Sequence, residues 1–183
     1  DPATGLPVFS LYGKNHTPSD EMLKDIDALV YDIQDVGCRS FTYISTLYNV
    51  MKAATKNKIK VVVLDRPNPL GGEKIEGNYT EDDCVSFVSQ FKIPYVYGMT
   101  PGEVALYLNG EGLIPGGKCD LQVIKMKGWK RRMTYEDTGL HWVLSSPHIP
   151  EASTSPFYSV TGIIGELYNI SIGVGYTLPF KLI

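Results

Sequence analysis

The chain has 183 residues, of which 43% are hydrophobic and 20% charged, and its formal net charge is −3. A chain of this length can form one substantial domain, and folding should bury roughly 70% of the surface that the unfolded chain exposes. The small negative charge gives no basis for nucleic-acid binding, which needs a basic face. No apolar run reaches the ~18 residues of a membrane-spanning helix, so no membrane span is expected in this segment.

The N-terminal residues combine turn formers with one short apolar stretch. Residues 1–18 are rich in Pro, Gly and Thr, which favours loops, and Val8–Tyr12 predicts an edge strand. Ser19 or Asp20 can cap a short helix that runs through Lys24.

Two strands joined by a helix form the centre of the predicted fold. Ala28–Tyr31 predicts a short buried strand, and Val61–Leu64 has the continuous aliphatic character of a strand buried on both faces. Between them, apolar residues at helical spacing predict a helix over Tyr43–Ala54. The short links make this a βαβ unit. The sequence therefore predicts an α/β domain with a mainly parallel sheet.

The second half of the chain continues this alternation. Thr100 is a good N-cap, with Pro101 at the first helical position and Glu103 at the third, a capping box that predicts a helix ending near Gly110. Other predicted elements are a helical turn at 82–88, strands at Pro94–Gly98 and Asp120–Ile124, and a helix at Phe157–Leu167.

Polar side chains follow both central strands, at the sheet edge where ligands of parallel sheets bind. These candidates are Asp32, Gln34, Asp35 and Arg39 after the first strand, and Asp65, Arg66 and Asn68 after the second. The structural alternative is a pair of satisfied turns, because Asp and Gly are ordinary loop formers and an Asp–Arg pair can neutralise itself.

Three of these residues are catalytic candidates. Hydrolysis of a glycosidic bond uses a carboxyl with a raised pKa and a second carboxylate roughly 5 to 9.5 Å away. Asp32, Asp35 and Asp65 lie on neighbouring strand ends and could meet that spacing. A nearby cation lowers a carboxyl pKa, so Arg39 and Arg66 make Asp35 and Asp65 better suited to binding or orienting a ligand than to donating a proton.

Aromatic and basic residues near the C-terminus add binding candidates. Trp129 lies in a polar loop, where a flat ring can stack on a sugar, although core packing is the commoner use of such a side chain. The basic run Lys127–Arg132 suits an anionic ligand group or, alternatively, a solvated surface. His148, between two prolines, is a candidate substrate contact. An esterase or amidase that uses His148 as its base is the less favoured alternative.

Metal and cofactor motifs are missing from the sequence. Cys38, Cys84 and Cys119 form no CxxC pair, and their odd number leaves at least one thiol unpaired within the chain. The glycine-rich fingerprints of dinucleotide and phosphate binding do not occur. We therefore predict neither a metal site nor a cofactor.

Five motifs occur in the same order in a known family. They are Asp32–Arg39, Tyr43–Thr46, Asp65–Gly72, Tyr97–Glu103 and Met126–Trp129. Together they resemble the NamZ-like exo-β-N-acetylmuramidases over nearly the whole chain. The resemblance implies that residues 1–183 belong to a Rossmann-like, three-layer catalytic domain, which a smaller auxiliary domain follows in full-length members.

The activity implied by this resemblance is release of N-acetylmuramic acid from the non-reducing ends of peptidoglycan fragments, without a metal. It also implies a periplasmic or extracellular location. A basic residue, Arg39 or Arg66, would bind the lactyl carboxylate of that sugar, and Tyr43, in the second motif, is a further substrate-binding candidate. The main alternative is a non-catalytic module that binds muropeptides or other anionic sugars.

Two features depart from the family pattern. The family's proposed catalytic glutamate lies in a Glu-His-Gly segment upstream of an Asp-Pro-x-Thr-Gly stretch, and this chain begins with that stretch at Asp1, without an initiator Met. Residues 171–175 read Ser-Ile-Gly-Val-Gly where many members have Ser-Glu-Gly-Arg-Gly. We therefore expect a fragment or processed product that lacks the proposed acid and is inactive on its own.

Overall fold

The computed structural model describes all residues from Asp1 to Ile183. Its helices and strands, in chain order, are β1 (Ala28–Tyr31), α1 (Tyr43–Asn57), β2 (Lys60–Leu64), α2 (Pro101–Gly110), β3 (Leu121–Ile124) and α3 (Thr154–Gly165). Short 3-10 turns lie at Arg39–Phe41, Asp82–Cys84 and Glu136–Thr138. None of the helices combines the length and the apolar character that a membrane crossing requires.

The three strands form one parallel sheet in the order β1-β2-β3. Tyr31 lies beside Val63, and Val63 lies beside Val123, so all three strands end at the same edge of the sheet. The α/β class and the parallel sheet predicted from the sequence are confirmed. The loops that carry the candidate residues leave from this edge.

One face of the sheet forms the main hydrophobic core, a cluster of 19 buried residues. Leu47 of α1 and Leu108 of α2 pack there against Val61 and Val63 of β2. Side chains alternate between the two faces of a strand. Helices α1 and α2 therefore lie on the same side of the sheet. On the opposite face Val30 is 61% exposed, so the three-layer arrangement implied by the resemblance is not formed by these residues, which make one sheet and one helix layer.

The predicted start of α2 is confirmed in detail. The Thr100 hydroxyl accepts a hydrogen bond from the Glu103 backbone N–H at 3.2 Å, and the Glu103 carboxylate accepts one from the Thr100 N–H at 3.0 Å. Pro101 occupies the first helical position, where a backbone N–H would have no partner within the helix, so the lack of this group in proline costs no hydrogen bond. Helix α1 ends at Asn57 and is capped by Lys58, which has a left-handed backbone conformation and donates its N–H to the Ala54 and Thr55 carbonyls.

Three predicted elements are wrong. Val8–Tyr12 forms no strand, because no neighbouring strand pairs with it, and Tyr12 is 84% exposed. Residues 19–24 form a single turn rather than a helix, which Asp25 ends with a positive φ of 63°. Pro94–Gly98 makes only one-residue bridges, from Val96 to Cys38 and to Glu76.

The C-terminal part packs around a second, smaller core. Helix α3 begins three residues before its predicted start and ends two residues before its predicted end. Its Tyr158 packs against a cluster of four buried residues, Val36, Cys38, Ile149 and Phe180. The segment therefore contacts the loop after β1 rather than the sheet. The thiols of all three cysteines are free.

Candidate functional site

A cavity of about 210 Å³, here called the cleft, lies at the carboxyl ends of β1 and β2. Asp32 and Gln34 follow β1, Arg66 follows β2, and Tyr43 begins α1. The fourth side is the loop Val143–Ser145. The structure thus brings together four of the side chains predicted from the sequence, at the predicted edge of the sheet.

Asp32 and Arg66 form an ion pair in the cleft. The Arg66 Nε donates to the Asp32 Oδ1 at 2.6 Å, and the Arg66 Nη2 lies 2.6 Å from the same oxygen. Their side chains are 45% and 36% exposed, so the pair contributes only about 0–1 kcal/mol to stability. The Asp32 Oδ2 and the Arg66 Nη1 make no hydrogen bond within the protein. A ligand can therefore find one acceptor and one cationic donor side by side.

Gln34 and Tyr43 fix the walls of the cleft. The Gln34 side-chain amide donates to the Asp35 carbonyl at 2.7 Å and to the Pro67 carbonyl at 2.8 Å, which ties the loops after β1 and β2 together. The Tyr43 hydroxyl donates to the Ser145 carbonyl and so ties α1 to the opposite loop. These bonds give the cleft its shape before any ligand binds.

Asp35 lies behind the cleft rather than in it. Its side chain is 2% exposed, and its Oδ1 accepts hydrogen bonds from the Gly37 N–H at 2.8 Å and from the Tyr97 hydroxyl. Burial raises the pKa of Asp35 to about 6. Gly37 has a φ of +83°, and a Cβ there would lie 2.2 Å from the Asn68 Oδ1. Asp35 therefore holds a tightly packed turn.

Asp65 and Asn68 also have structural partners. The Asp65 Oδ1 accepts from the Gly102 N–H at 2.8 Å and its Oδ2 accepts from the Thr100 hydroxyl at 2.9 Å, so this anion lies at the positive end of α2. Burial raises the pKa of Asp65. Asn68 is 2% exposed and its side-chain amide donates to the Met99 carbonyl at 2.9 Å. Neither side chain lines the cleft.

Three further candidates lie away from the cleft. The Arg39 Nη1 donates to the Asn78 and Ile93 carbonyls, so it anchors the long segment between β2 and α2. Trp129 lines a separate cavity. His148 is exposed, and its imidazole has no hydrogen bond to a serine or a carboxylate. The triad needed for the His148 alternative is not assembled.

The sequence did not predict two parts of this region, the loop that forms one wall of the cleft and an arginine that holds loops in place. Val143–Ser145 lines the cleft, although its only sequence signal is an apolar pair before a serine. Arg131, in the basic run, donates to Glu103 at 2.7 Å and to the Gly72 and Gly98 carbonyls, so it fastens loops to α2. Its guanidinium is thereby committed to the protein rather than to an anionic ligand.

Comparison with known proteins places this arrangement in a family. Residues 1–153 match the family model described as exo-beta-N-acetylmuramidase NamZ, N-terminal. The chain belongs to this family. Over all of its 183 residues it is 51% identical to the peptidoglycan beta-N-acetylmuramidase NamZ of Bacillus subtilis strain 168, of which it covers 43%.

Solved structures agree with this assignment. A DUF1343 family protein of Bacteroides fragilis matches 99% of the chain at 64% identity with a TM-score of 0.96. A second DUF1343 family protein of that organism matches 98% of the chain at 36% identity with a TM-score of 0.86. The chain covers 47% and 48% of these two structures. The chain therefore spans less than half the length of each of these three relatives.

Proposed function

We propose that the chain functions in a peptidoglycan glycosidase and that its cleft binds the N-acetylmuramic acid unit that is released from the non-reducing ends of peptidoglycan fragments. The observation that carries this proposal is the Asp32–Arg66 pair, with a free oxygen and a free guanidinium nitrogen, in the cleft of a NamZ family chain. Peptidoglycan lies outside the cytoplasmic membrane, so the site of action is periplasmic or extracellular.

The two groups suit the two kinds of polar group on this sugar. The Arg66 Nη1 can donate to the lactyl carboxylate, a charge-assisted bond that a neutral hexosamine cannot make. The Asp32 Oδ2 can accept a hydrogen bond from a sugar hydroxyl. Val143 and Leu144, which are 69% and 64% exposed, offer apolar surface on the other wall to the lactyl methyl group.

Binding, rather than hydrolysis, is the expected activity of the 183 residues alone. Glycoside hydrolysis needs a carboxyl group that can give a proton to the leaving oxygen. The only carboxylate that lines the cleft is Asp32, and it is engaged by Arg66. Asp35, whose raised pKa would suit a proton donor, is buried behind the cleft. Turnover of a muramoyl substrate by the 183-residue chain would contradict this expectation.

Titration with two sugars tests the proposal. N-acetylmuramic acid and N-acetylglucosamine differ by the lactyl ether, so their affinities can be compared by NMR chemical-shift titration. We expect the muramic acid to bind about tenfold more tightly, from one charge-assisted hydrogen bond. Arg66→Gln should abolish the difference, whereas Arg132→Gln, at an exposed arginine outside the cleft, should preserve it.

Two results would overturn the assignment of the carboxylate to Arg66. One is equal affinity of the unaltered chain for both sugars. The other is a preference for N-acetylmuramic acid that survives in the Arg66→Gln variant.

A further inference from the structure

Asp35 is a buried carboxyl group behind the wall of the cleft, and the proposed contacts with the sugar do not use it. It follows Gln34, which lines the cleft, and its own backbone carbonyl accepts the 2.7 Å hydrogen bond that holds the Gln34 side chain in that wall. We propose that Asp35 makes the binding of anionic sugars in the cleft depend on pH: the protonated carboxyl group permits binding, and the ionised group weakens it. This inference rests on the proposed function of the cleft.

The surroundings of Asp35 leave its negative charge poorly compensated. Its side chain is 2% exposed, and no lysine, arginine or histidine forms an ion pair with it. The Oδ1 accepts hydrogen bonds from the Gly37 N–H and the Tyr97 hydroxyl, whereas the Oδ2 has no partner. Salt screens a buried charge much less than an exposed one. The charge of an ionised Asp35 therefore acts on groups in the cleft through the protein.

This charge reaches at least one side chain that lines the cleft. Burial raises the pKa of the Tyr43 phenol, and the negative charge of Asp35 raises it further, because a carboxylate disfavours a second anion nearby. A lactyl carboxylate in the cleft is also an anion, so the same repulsion acts on it. At the effective dielectric constant of ~20 that describes protein sites, two like charges ~10 Å apart change an equilibrium constant by roughly tenfold.

Asp35 changes its charge at moderate pH, whereas the other groups around it do not. Burial raises the pKa of Asp35 to about 6. The thiol and the phenols that interact with it have pKa values raised from 9 or 10, so they stay neutral below pH 8. In the cleft itself, the charges of Asp32 and Arg66 balance each other. The neutral groups are Tyr31 in β1, Cys38 in the same loop, Tyr43 in α1, Tyr97 before α2 and Tyr158 in α3.

NMR titrations with two sugars at pH 5 and pH 8 test this inference. N-acetylmuramic acid is an anion at both pH values, because carboxyl groups in water titrate below pH 5, and N-acetylglucosamine is neutral at both. We expect the unaltered chain to bind N-acetylmuramic acid about tenfold more weakly at pH 8 than at pH 5. Its affinity for N-acetylglucosamine should stay within about twofold, because a neutral sugar is not repelled.

Two aspartate variants separate the charge of Asp35 from other effects of pH. Asp35→Asn keeps an oxygen that can accept from Gly37 and Tyr97 but cannot ionise, so its affinity for N-acetylmuramic acid should be the same at both pH values. Asp83→Asn, at an exposed aspartate outside the cleft, should retain the tenfold fall. The three histidines of the chain are present in every variant, so their effect cancels in this comparison.

The unaltered chain provides a second test that needs no substitution. Because the coupling between two bound ligands is reciprocal, saturating N-acetylmuramic acid should increase the proton affinity of Asp35 about tenfold. The ¹³C chemical shift of the Asp35 carboxyl group, followed from pH 4 to pH 8, measures this change. Saturating N-acetylglucosamine should leave the proton affinity unaltered. A purely structural role of Asp35 would not produce this difference between the two sugars.

Each contrary outcome has its own meaning. Equal affinity for N-acetylmuramic acid at both pH values, or a fall that survives in Asp35→Asn, overturns this inference and leaves the proposed function intact. An equal fall for both sugars also overturns it, since ionisation would then deform the cleft rather than repel an anion. If Asp35→Asn does not fold, a proton affinity of Asp35 that N-acetylmuramic acid leaves unchanged overturns the inference. Failure of both sugars to bind at pH 5 overturns the proposed function as well.

Discussion

At the scale of single residues, the two aspartates of the loop after β1 show how environment separates chemically identical groups. Asp32 is half-exposed and pairs with Arg66, so its charge is balanced at the mouth of the cleft. Asp35, three positions later, is buried with one oxygen, Oδ2, that has no partner. Desolvation disfavours the ionised form of Asp35 and raises its pKa to about 6.

This burial predicts a pH dependence of stability. The pKa of Asp35 rises from an ordinary 3.8 to about 6, so the folded state holds the proton more strongly than the unfolded state. The contribution of this proton to the stability of the folded state is therefore complete below about pH 3.8 and is lost as the pH rises through about 6. The stability lost over this range is ~3 kcal/mol. Asp35→Asn cannot titrate, so the loss of unfolding free energy between pH 4 and pH 7 should shrink by about that amount.

Urea unfolding of both proteins at several pH values between 4 and 7 measures this difference. The titratable groups that interact with Asp35 are Tyr31, Cys38, Tyr43, Tyr97 and Tyr158. The pKa of each is raised from 9 or 10, so none titrates in this range. Asp83→Asn, at an exposed aspartate, is the matched control. An Asp35→Asn variant that loses as much stability as the unaltered chain would contradict the assignment.

At the scale of elements, one arginine fastens two loops to the start of helix α2. Arg131 reaches Glu103 of α2 and the backbone carbonyls of Gly72 and Gly98. The guanidinium of Arg131 uses two different nitrogens for these contacts, whereas a lysine ammonium carries its three donors on a single atom and cannot reach the same spread of acceptors. Arg131→Lys should therefore lower the unfolding free energy by about 2 kcal/mol, since hydrogen bonds to charged groups contribute roughly 1.5–3 kcal/mol each.

The neighbouring Arg132 provides the control for this prediction. It is exposed, so Arg132→Lys should leave stability within about 0.5 kcal/mol of the unaltered chain. Denaturant unfolding of the two variants side by side measures the comparison. Equal stabilities would show that the contacts of Arg131 contribute nothing beyond those of an ordinary surface residue.

Elements with local signals were predicted from the sequence, whereas those that depend on distant partners were not. Three of these signals each lie within a short stretch of sequence: the periodicity of α1, the aliphatic run of β2 and the capping box of α2. The Val8–Tyr12 stretch looks like a strand in isolation, but it has no partner strand. In Pro94–Gly98 only Val96 forms β-bridges, and each of them is a single residue long.

The candidate site likewise has features that the sequence predicts and features that it does not. The edge of the sheet and the proximity of the loops after β1 and β2 follow from strand ends that can be read in the sequence. The partner of Arg66 was not predicted, since it is Asp32 of the neighbouring loop rather than the adjacent Asp65. Whether a polar side chain faces the cleft or the interior depends on backbone turns such as that of Gly37, which no composition or spacing specifies. The contribution of Val143–Ser145 comes from a loop about 80 residues away from Arg66 in the chain, so no local pattern could place it in the cleft.

At the scale of the whole molecule, the two hydrophobic clusters differ in size. The cluster between the sheet and helices α1 and α2 contains 19 buried residues, and the cluster near α3 contains four. Only Thr154, Ser155 and Thr161 of α3 are buried, while Phe157 and Val160 are 47% and 62% exposed. Regions with few buried apolar contacts open at lower free energy than the global transition.

Hydrogen exchange should therefore divide the chain into two parts. Amides of α1 and β2 should exchange only through global unfolding, and those of α3 should exchange at least ~tenfold faster, through local opening. Two buried aliphatic residues provide matched variants, Leu47 in the large cluster and Ile149 in the small one. Replacement of either by alanine removes roughly 2–5 kcal/mol of packing. Ile149→Ala should accelerate exchange in α3 alone, whereas Leu47→Ala should accelerate it in α1 and β2. If Ile149→Ala accelerated α1 as much as α3, the chain would unfold as one cooperative unit, and the loop that closes the cleft would be as stable as the sheet.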